Sequence, residues 1–428
     1  MGYSLLFGME KSLAHWKAEH PLLFVSLSLC VGYLLAQNFG YSIKTEGTHW
    51  VCIVMALSMF LLLMMPFLKI KLWLQGIIIL LILLSWGMVL YLTTTSQNLI
   101  HIRSSLPLIS KLRMWLIQKI DSNIYNQEAS GFAKALLIGV KTDIDKNIIN
   151  AYTQLGIIHI IAISGMHLDI IFKNLVYVTQ QLPRKIFWRW MELFIVLIAV
   201  WLYTFIAFAS PSVVRASIFF SLFFVGSFFQ QPKYTLNCIA GGILIILFFD
   251  IHAIQHIGLQ LSYAAVLGIH LFYPLLYKML PMDNPILDWM WNNLCITLSA
   301  QLTTLPILLY HFHQTSTLLI ISNFIMVPLS SILLYALIIL MLLPNALIVY
   351  IHYGKWIQAY ITILNNAVLY LHQKTIGTPF LIDMSGFNLT VYYMALLGVY
   401  LWLYQRKAKF LFYTLVICSM GIIIKLFP

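Results

Sequence analysis

Charge is what this chain has least of. Only 9% of its 428 residues are Asp, Glu, Lys or Arg, with 13 acidic residues against 25 basic ones. Soluble domains carry about a quarter of their residues as charges, so no water-soluble block of ordinary domain size can be cut from this sequence. Cysteine is scarce too. Cys30, Cys52, Cys238, Cys295 and Cys418 are scattered through apolar runs without CxxC spacing, which argues against a disulfide framework or a zinc site and leaves them as small core residues. No GxxxxGK[ST] phosphate loop is present, so the energy for any active process is expected to come from elsewhere. No HxHxDH-type metal cluster occurs; its nearest approach, His311-Phe312-His313, has no aspartate motif after it. The first twenty residues lack the continuous apolar core and small-residue cleavage site of a removable signal.

What fills the chain is hydrocarbon. Hydrophobic residues make up 61% of it, and several apolar runs exceed the roughly 20 residues that a helix needs to cross a bilayer. The expected fold is all-α, a polytopic helical membrane protein with about 11–13 crossings, some of them broken or re-entrant. Crossings are expected near 21–37, 50–68, 72–92, 155–182, 190–209, 211–229, 235–249, 257–280, 289–310, 317–343, 350–372, 390–405 and 410–427. Short basic loops set the orientation. Lys69, Lys71, Arg184, Lys185, Arg189, Lys233, Lys278, Arg406, Lys407 and Lys409 all fall on one side if the N-terminus is cytoplasmic, which leaves the C-terminus external.

One crossing is unusually polar. Residues 155–171 read LGIIHIIAISGMHLDII and place His159, Ser164 and His167 at membrane depth, with Gly156 and Gly165 on either side of the IIHIIAIS run. Ionisable residues and helix interruptions are costly in lipid and face a cavity or a pathway where they occur. His159 and His167 share a helix face only loosely, about 80° apart. The ordinary alternative is a pair of histidines hydrogen-bonded inside a bundle, with Ser164 bonded back to the preceding turn.

Other spans carry polar groups of their own. Arg215 follows Pro211 by one turn in an apolar helix, where it must snorkel, pair or meet water or an anion. Ser210 or Ser212 is placed to cap that helix. Asp250 opens an external loop as a cap or a partner for Arg215, and Gln260 and Gln301 supply amides in two further spans. Pro306 and Pro328 loosen the spans that hold them. Aromatic residues, 14% of the chain, would let bases stack without sequence preference, although membrane bundles also use them for packing.

Residues 101–124, HIRSSLPLISKLRMWLIQKIDSNI, lie on the external side and break the charge rule. Ile109, Leu112, Leu116, Ile120 and Ile124 form one apolar stripe, and most of Arg103, Lys111, Arg113 and Lys119 lies away from it. The segment reads as an amphipathic helix on the membrane surface. Its bases form either a lipid-headgroup anchor or a collar that attracts a polyanion, and the net charge of +12 suits both.

Four ordered segments together resemble the competence domain of the ComEC family, the membrane channel for DNA uptake in naturally transformable bacteria. They are GFAKALLIGVKTDIDKNIINAYTQLGIIHIIAISGMHLDII (131–171), PSVVRASIFF (211–220), DIHAIQHIGLQLSYAAVLGIHLFYP (250–274) and LSAQLTTLPILLYHFHQTSTLLIISNFIMVPL (298–329). The match runs over about residues 125–345. The resemblance implies a channel for single-stranded DNA, with His159, Ser164, His167, Arg215, Asp250, Gln260, Ser262 and Gln301 as lining or DNA-contacting candidates. It further implies a bacterial inner-membrane location and, as partners, a DNA receptor, a cytoplasmic motor ATPase and a separate nuclease, with no cofactor and no metal; lipid contacts are certain in such a chain and a homo-oligomer is compatible with it. Full-length relatives usually carry an OB-fold-like and a metallo-β-lactamase-like external domain, and the sequence resembles the channel part alone. Asp169 stands where the family has a small residue, setting a negative charge beside an expected anion path.

The expected divisions are an N-terminal three-helix region (1–100), the basic amphipathic helix (101–130), the channel domain (131–345) and C-terminal helices (346–428). Two other functions share the residues. A broken-helix bundle also suits a transporter of small solutes. AISG at 162–165 resembles the G-x-S-G of rhomboid-like intramembrane proteases, with Ala162 in place of the first glycine and His270 among the candidate bases. The reading favoured here is a channel without catalytic activity of its own.

Overall fold

A computed structural model describes residues 107–426 apart from 182, 184, 230–234, 345–347, 376–378 and 382–383, together with scattered positions between 22 and 33. The expected crossings at 50–68 and 72–92, most of 21–37, and Arg103 lie outside the described residues.

The chain divides into two compact units, residues 1–102 with 218–256, and residues 103–217 with 257–428. In order, the helices are α1 (Pro107–Asp121), α2 (Gln127–Ile138), α3 (Lys146–Gln154), α4 (Ile158–Ile161), α5 (Gly165–Thr179), α6 (Ile186–Ile206) and α7 (Pro211–Phe228). They continue with α8 (Thr235–Phe249), α9 (Ile257–Tyr277), α10 (Pro285–Phe312), α11 (Leu319–Leu342), α12 (Ile348–Thr375), α13 (Gly386–Gln405) and α14 (Ala408–Leu426). Among the described residues, α6, α7, α9, α10, α11 and α13 are long and apolar enough to cross a membrane. The protein is an all-α, multi-pass membrane protein. Its small departure from helix is a two-stranded antiparallel ribbon, β1 (Gln314–Ser316) against β2 (Pro379–Leu381), with Thr315 opposite Phe380.

Local chemistry marks the boundaries. Asn126, Asp145, Asn284 and Ser385 accept backbone N–H bonds at the starts of α2, α3, α10 and α13, and Pro285 occupies the first turn of α10, where its missing donor costs nothing. His313 and Arg406, left-handed at φ 55° and 56°, stop α10 and α13.

The core of the larger unit is built on α2, buried from Ala129 to Ile138 and packed among α1, α3, α4, α11 and α12. A lysine in such a helix has to be neutralised. Lys134 is bonded to Asp143 and lies 3.1 Å from Asp121, whose other partner is the Ser130 hydroxyl. Burial works against the Lys134 charge, but the bonds to Asp143 and Asp121 outweigh it and hold its pKa above 10.5. Asp143 is held below 3.8, first by the bond from Lys134 and then by that from Thr142. The depressed carboxylate supports folding fully above its ordinary value of 3.8 and loses that support as pH falls further. The raised lysine supports folding below 10.5 and loses that support as pH climbs through its folded value. The melting temperature is therefore expected to drop on acidification below pH 3.8, and Lys134→Met should flatten that acid limb. An unchanged acid profile in the variant would refute this account.

The amphipathic helix forms as α1, but its bases do not all stand free. Arg113 donates to the carbonyls of Phe205 (2.8 Å) and Ile206 (3.1 Å), with its guanidinium 3.6 Å over the Phe208 ring. Lys119, buried, donates to the carbonyls of Met341 and Leu343, each at 2.9 Å. These two cations close the C-terminal ends of α6 and α11, where carbonyls lack helical donors and the helix dipole is negative. Lys111 remains exposed. The free collar expected from the stripe is thus reduced, because stripe periodicity sorts residues by face and does not reveal which helix ends that face will meet.

In the smaller unit, Tyr33 is fully buried, its hydroxyl 2.9 Å from His252 Nδ1 and accepting from Gln255 at 3.1 Å. Asp250 accepts from the His252 amide at 3.0 Å and so starts the 3-10 turn at Ile251–Gln255.

Candidate functional site

The segment expected to cross at 155–182 is broken. Gly156 takes φ +75°, and a Cβ there would collide with the Leu319 side chain, so the turn that begins the segment needs glycine. One helical turn follows, α4, and then Ala162 and Ser164 are extended before α5 begins at Gly165. The run of isoleucines explains the weakness, because β-branched side chains lose rotamer freedom against the preceding turn.

The break orders a small polar cluster. The Ser164 amide donates to His167 Nδ1 at 3.1 Å, and the Ser164 hydroxyl lies 3.0 Å from the same atom. An amide can only donate, so Nδ1 accepts and the neutral ring carries its proton on Nε2. His167 is fully buried, and that Nε2 has no hydrogen-bond partner among the described residues. His159, on α4, is exposed and within electrostatic reach of His167. Asp169 is bonded to Lys173 one turn on, at 2.7 Å, so the negative charge at this position is offset within its own helix.

A second break separates α6 from α7. Phe208 and Ala209 are left-handed, at φ 59° and 45°, a costly arrangement for residues with side chains. Surrounding contacts hold it: Arg113 grips the end of α6, and the Thr204 and Ser217 hydroxyls join the two helices across the turn. Both serines expected to cap α7 line a cavity here. Ser212 donates to the Ile163 carbonyl at 2.7 Å, an acceptor freed by the first break. The cavity, about 530 Å³, is also lined by Lys141, Thr142, Ile163 and Phe208.

The two breaks therefore meet. A Cβ on Gly165 would lie 3.4 Å from Ala216, which brings the ISG and PSVVRA segments into contact. Arg215, next to Ala216, donates to the Gly258 carbonyl at 3.0 Å, while its Nε is buried without a partner among the described residues. Among the described residues of its unit no carboxylate pairs with it. Two residues beyond Gly258, Gln260 Oε1 is 3.1 Å from His311 Nε2. Ser262 is half-buried on the same helix, and the Gln301 Oε1 on α10 is buried without a partner among the described residues. The four sequence segments are thus linked through 163–165, 212–216, 258–260 and 311. Asp250 belongs to the other unit and is spent on capping.

The family described as "Competence protein" matches residues 136–407, well over half of the chain. The chain belongs to this family. It is 28% identical over 238 residues to ComE operon protein 3 of Bacillus subtilis (strain 168), a match covering 56% of this chain and 29% of that protein. The chain thus aligns with less than a third of that relative's length. No solved structure matches. The family match takes in every break, kink and amide described above and extends past the motifs to α13, whose Tyr392 and Tyr393 the motif spacing did not flag.

Proposed function

We propose that this protein forms a conduit through which single-stranded DNA crosses the bacterial inner membrane during natural transformation, with its N-terminus cytoplasmic. Membership of the competence family supports the process, and one observation supports the cargo. Arg215 is permanently charged, sits in a membrane-crossing helix and has no carboxylate partner among the described residues of its unit. Such a charge is stable only beside water or an anion, and phosphate is the anion a guanidinium binds best. At the breaks themselves Ser164, His167 and Ser212 are neutral donors and acceptors, which suits a path that must release each phosphate as it passes. In this reading the protein catalyses nothing. A receptor delivers the DNA, a separate nuclease removes the other strand, and a cytoplasmic ATPase supplies the work.

Deletion of the gene is expected to abolish transformation while DNA still binds the cell surface. Complementation by Ser164→Ala should restore most of it, because that change removes one hydroxyl contact to His167 Nδ1 and no nucleophile. Normal transformation in the deletion strain would end the DNA reading. Null complementation by a stably inserted Ser164→Ala, together with loss of cleavage of a membrane protein, would favour a protease.

A further inference from the structure

α10 carries Pro306 in its interior. Proline has no amide hydrogen, so the Leu302 carbonyl four residues back loses its helical donor, and the ring pushes that turn open, weakening the next carbonyl as well. Within a membrane no bulk water replaces the lost bonds. Two consecutive tyrosines of α13 replace them. The Tyr392 hydroxyl donates to the Leu302 carbonyl at 3.0 Å, and the Tyr393 hydroxyl donates to the Thr303 carbonyl at 2.7 Å. Their rings stand at 90° to each other, which lets neighbours on one helix reach neighbouring carbonyls on another.

The turn they hold is gripped from α9 as well. The Thr303 hydroxyl donates to the Ala264 carbonyl at 2.7 Å. Next to the latched carbonyls is Gln301, whose Oε1 is buried without a partner among the described residues. An unsatisfied acceptor on a turn held from two sides has its direction set by that grip, since nothing bonded to the oxygen itself does so.

We propose that Tyr392 and Tyr393 are positioning residues, a latch that stands in for the donor removed by Pro306 and thereby fixes the direction of the Gln301 amide. The transport consequence rests on the conduit reading above; the latch itself does not. Tyrosines that merely filled space with their rings would be indifferent to residue 306, whereas a latch would not be.

The test is a double-mutant cycle on the full chain in nanodiscs. Tyr392→Phe/Tyr393→Phe is made with Pro306 present and again with Pro306→Ala, which returns the backbone donor. Amide exchange over 304–310 is followed, along with the mobility of a spin label at Gln301→Cys. With Pro306 present, loss of the hydroxyls should speed exchange by roughly 5- to 30-fold and loosen the label. With Pro306→Ala, the same tyrosine changes should alter neither. Equal effects in both backgrounds, or exchange that responds while the label does not, would overturn the proposal. Transformation of cells carrying wild type or any of the three variants is scored separately, and a defect there should follow the label. If gene deletion leaves transformation intact, the conduit reading falls while the cycle still decides the latch.

Discussion

Arg215→Ala is expected to lower DNA uptake by about 10- to 100-fold, the equivalent of losing one charge-assisted hydrogen bond to a phosphate, with the amount of protein in the membrane unchanged. The expectation follows from how little else this side chain does. Its one hydrogen bond among the described residues is to the Gly258 carbonyl, so its removal orphans no buried acid. Arg215→Lys keeps the charge but loses the planar fork, and should fall between wild type and alanine. Uptake of labelled DNA, normalised to membrane-inserted protein, is the measurement. Wild-type uptake by a stably inserted alanine variant would show that this guanidinium meets no phosphate.

The largest stability effect is expected at Gly268. A Cβ there would run into the Thr303 hydroxyl and stand 2.4 Å from the Ser299 carbonyl. The second obstacle is backbone and cannot rotate away. Gly268→Val should therefore force α9 and α10 apart, at a cost of about 1–3 kcal/mol for overpacking. Loss of the Thr303 bond to the Ala264 carbonyl adds about 1 kcal/mol. The variant should melt well below wild type and accumulate poorly. Gly226 is the control: a Cβ there meets nothing within 4 Å among the described residues, so Gly226→Ala should be neutral or slightly stabilising through helix propensity. Equal tolerance of both substitutions would mean that α9 and α10 do not pack this closely.

What sequence reasoning leaves open is which partner each polar group finds. Arg113 and Lys119, expected in a basic segment that anchors to lipid or forms a collar, close the ends of distant helices. Asp169, expected to set a negative charge near an anion path, is bonded to Lys173 one turn away. Ser212, offered with Ser210 as a cap, donates to the Ile163 carbonyl 49 residues away in sequence. Each case turns on an acceptor or a donor supplied by another segment.

Sequence alone determined the class of this protein and, among the described residues, the position of most of its long helices. A shortage of charge and apolar runs of bilayer length permit little else in water or lipid. Whether the breaks meet was decided only in three dimensions. Gly165 against Ala216, Arg215 on Gly258 and a tyrosine pair on the Pro306 turn are contacts between segments far apart in the chain. Periodicity reports which face of a helix is apolar, whereas the partner of a freed carbonyl or an unpaired guanidinium depends on how the helices pack.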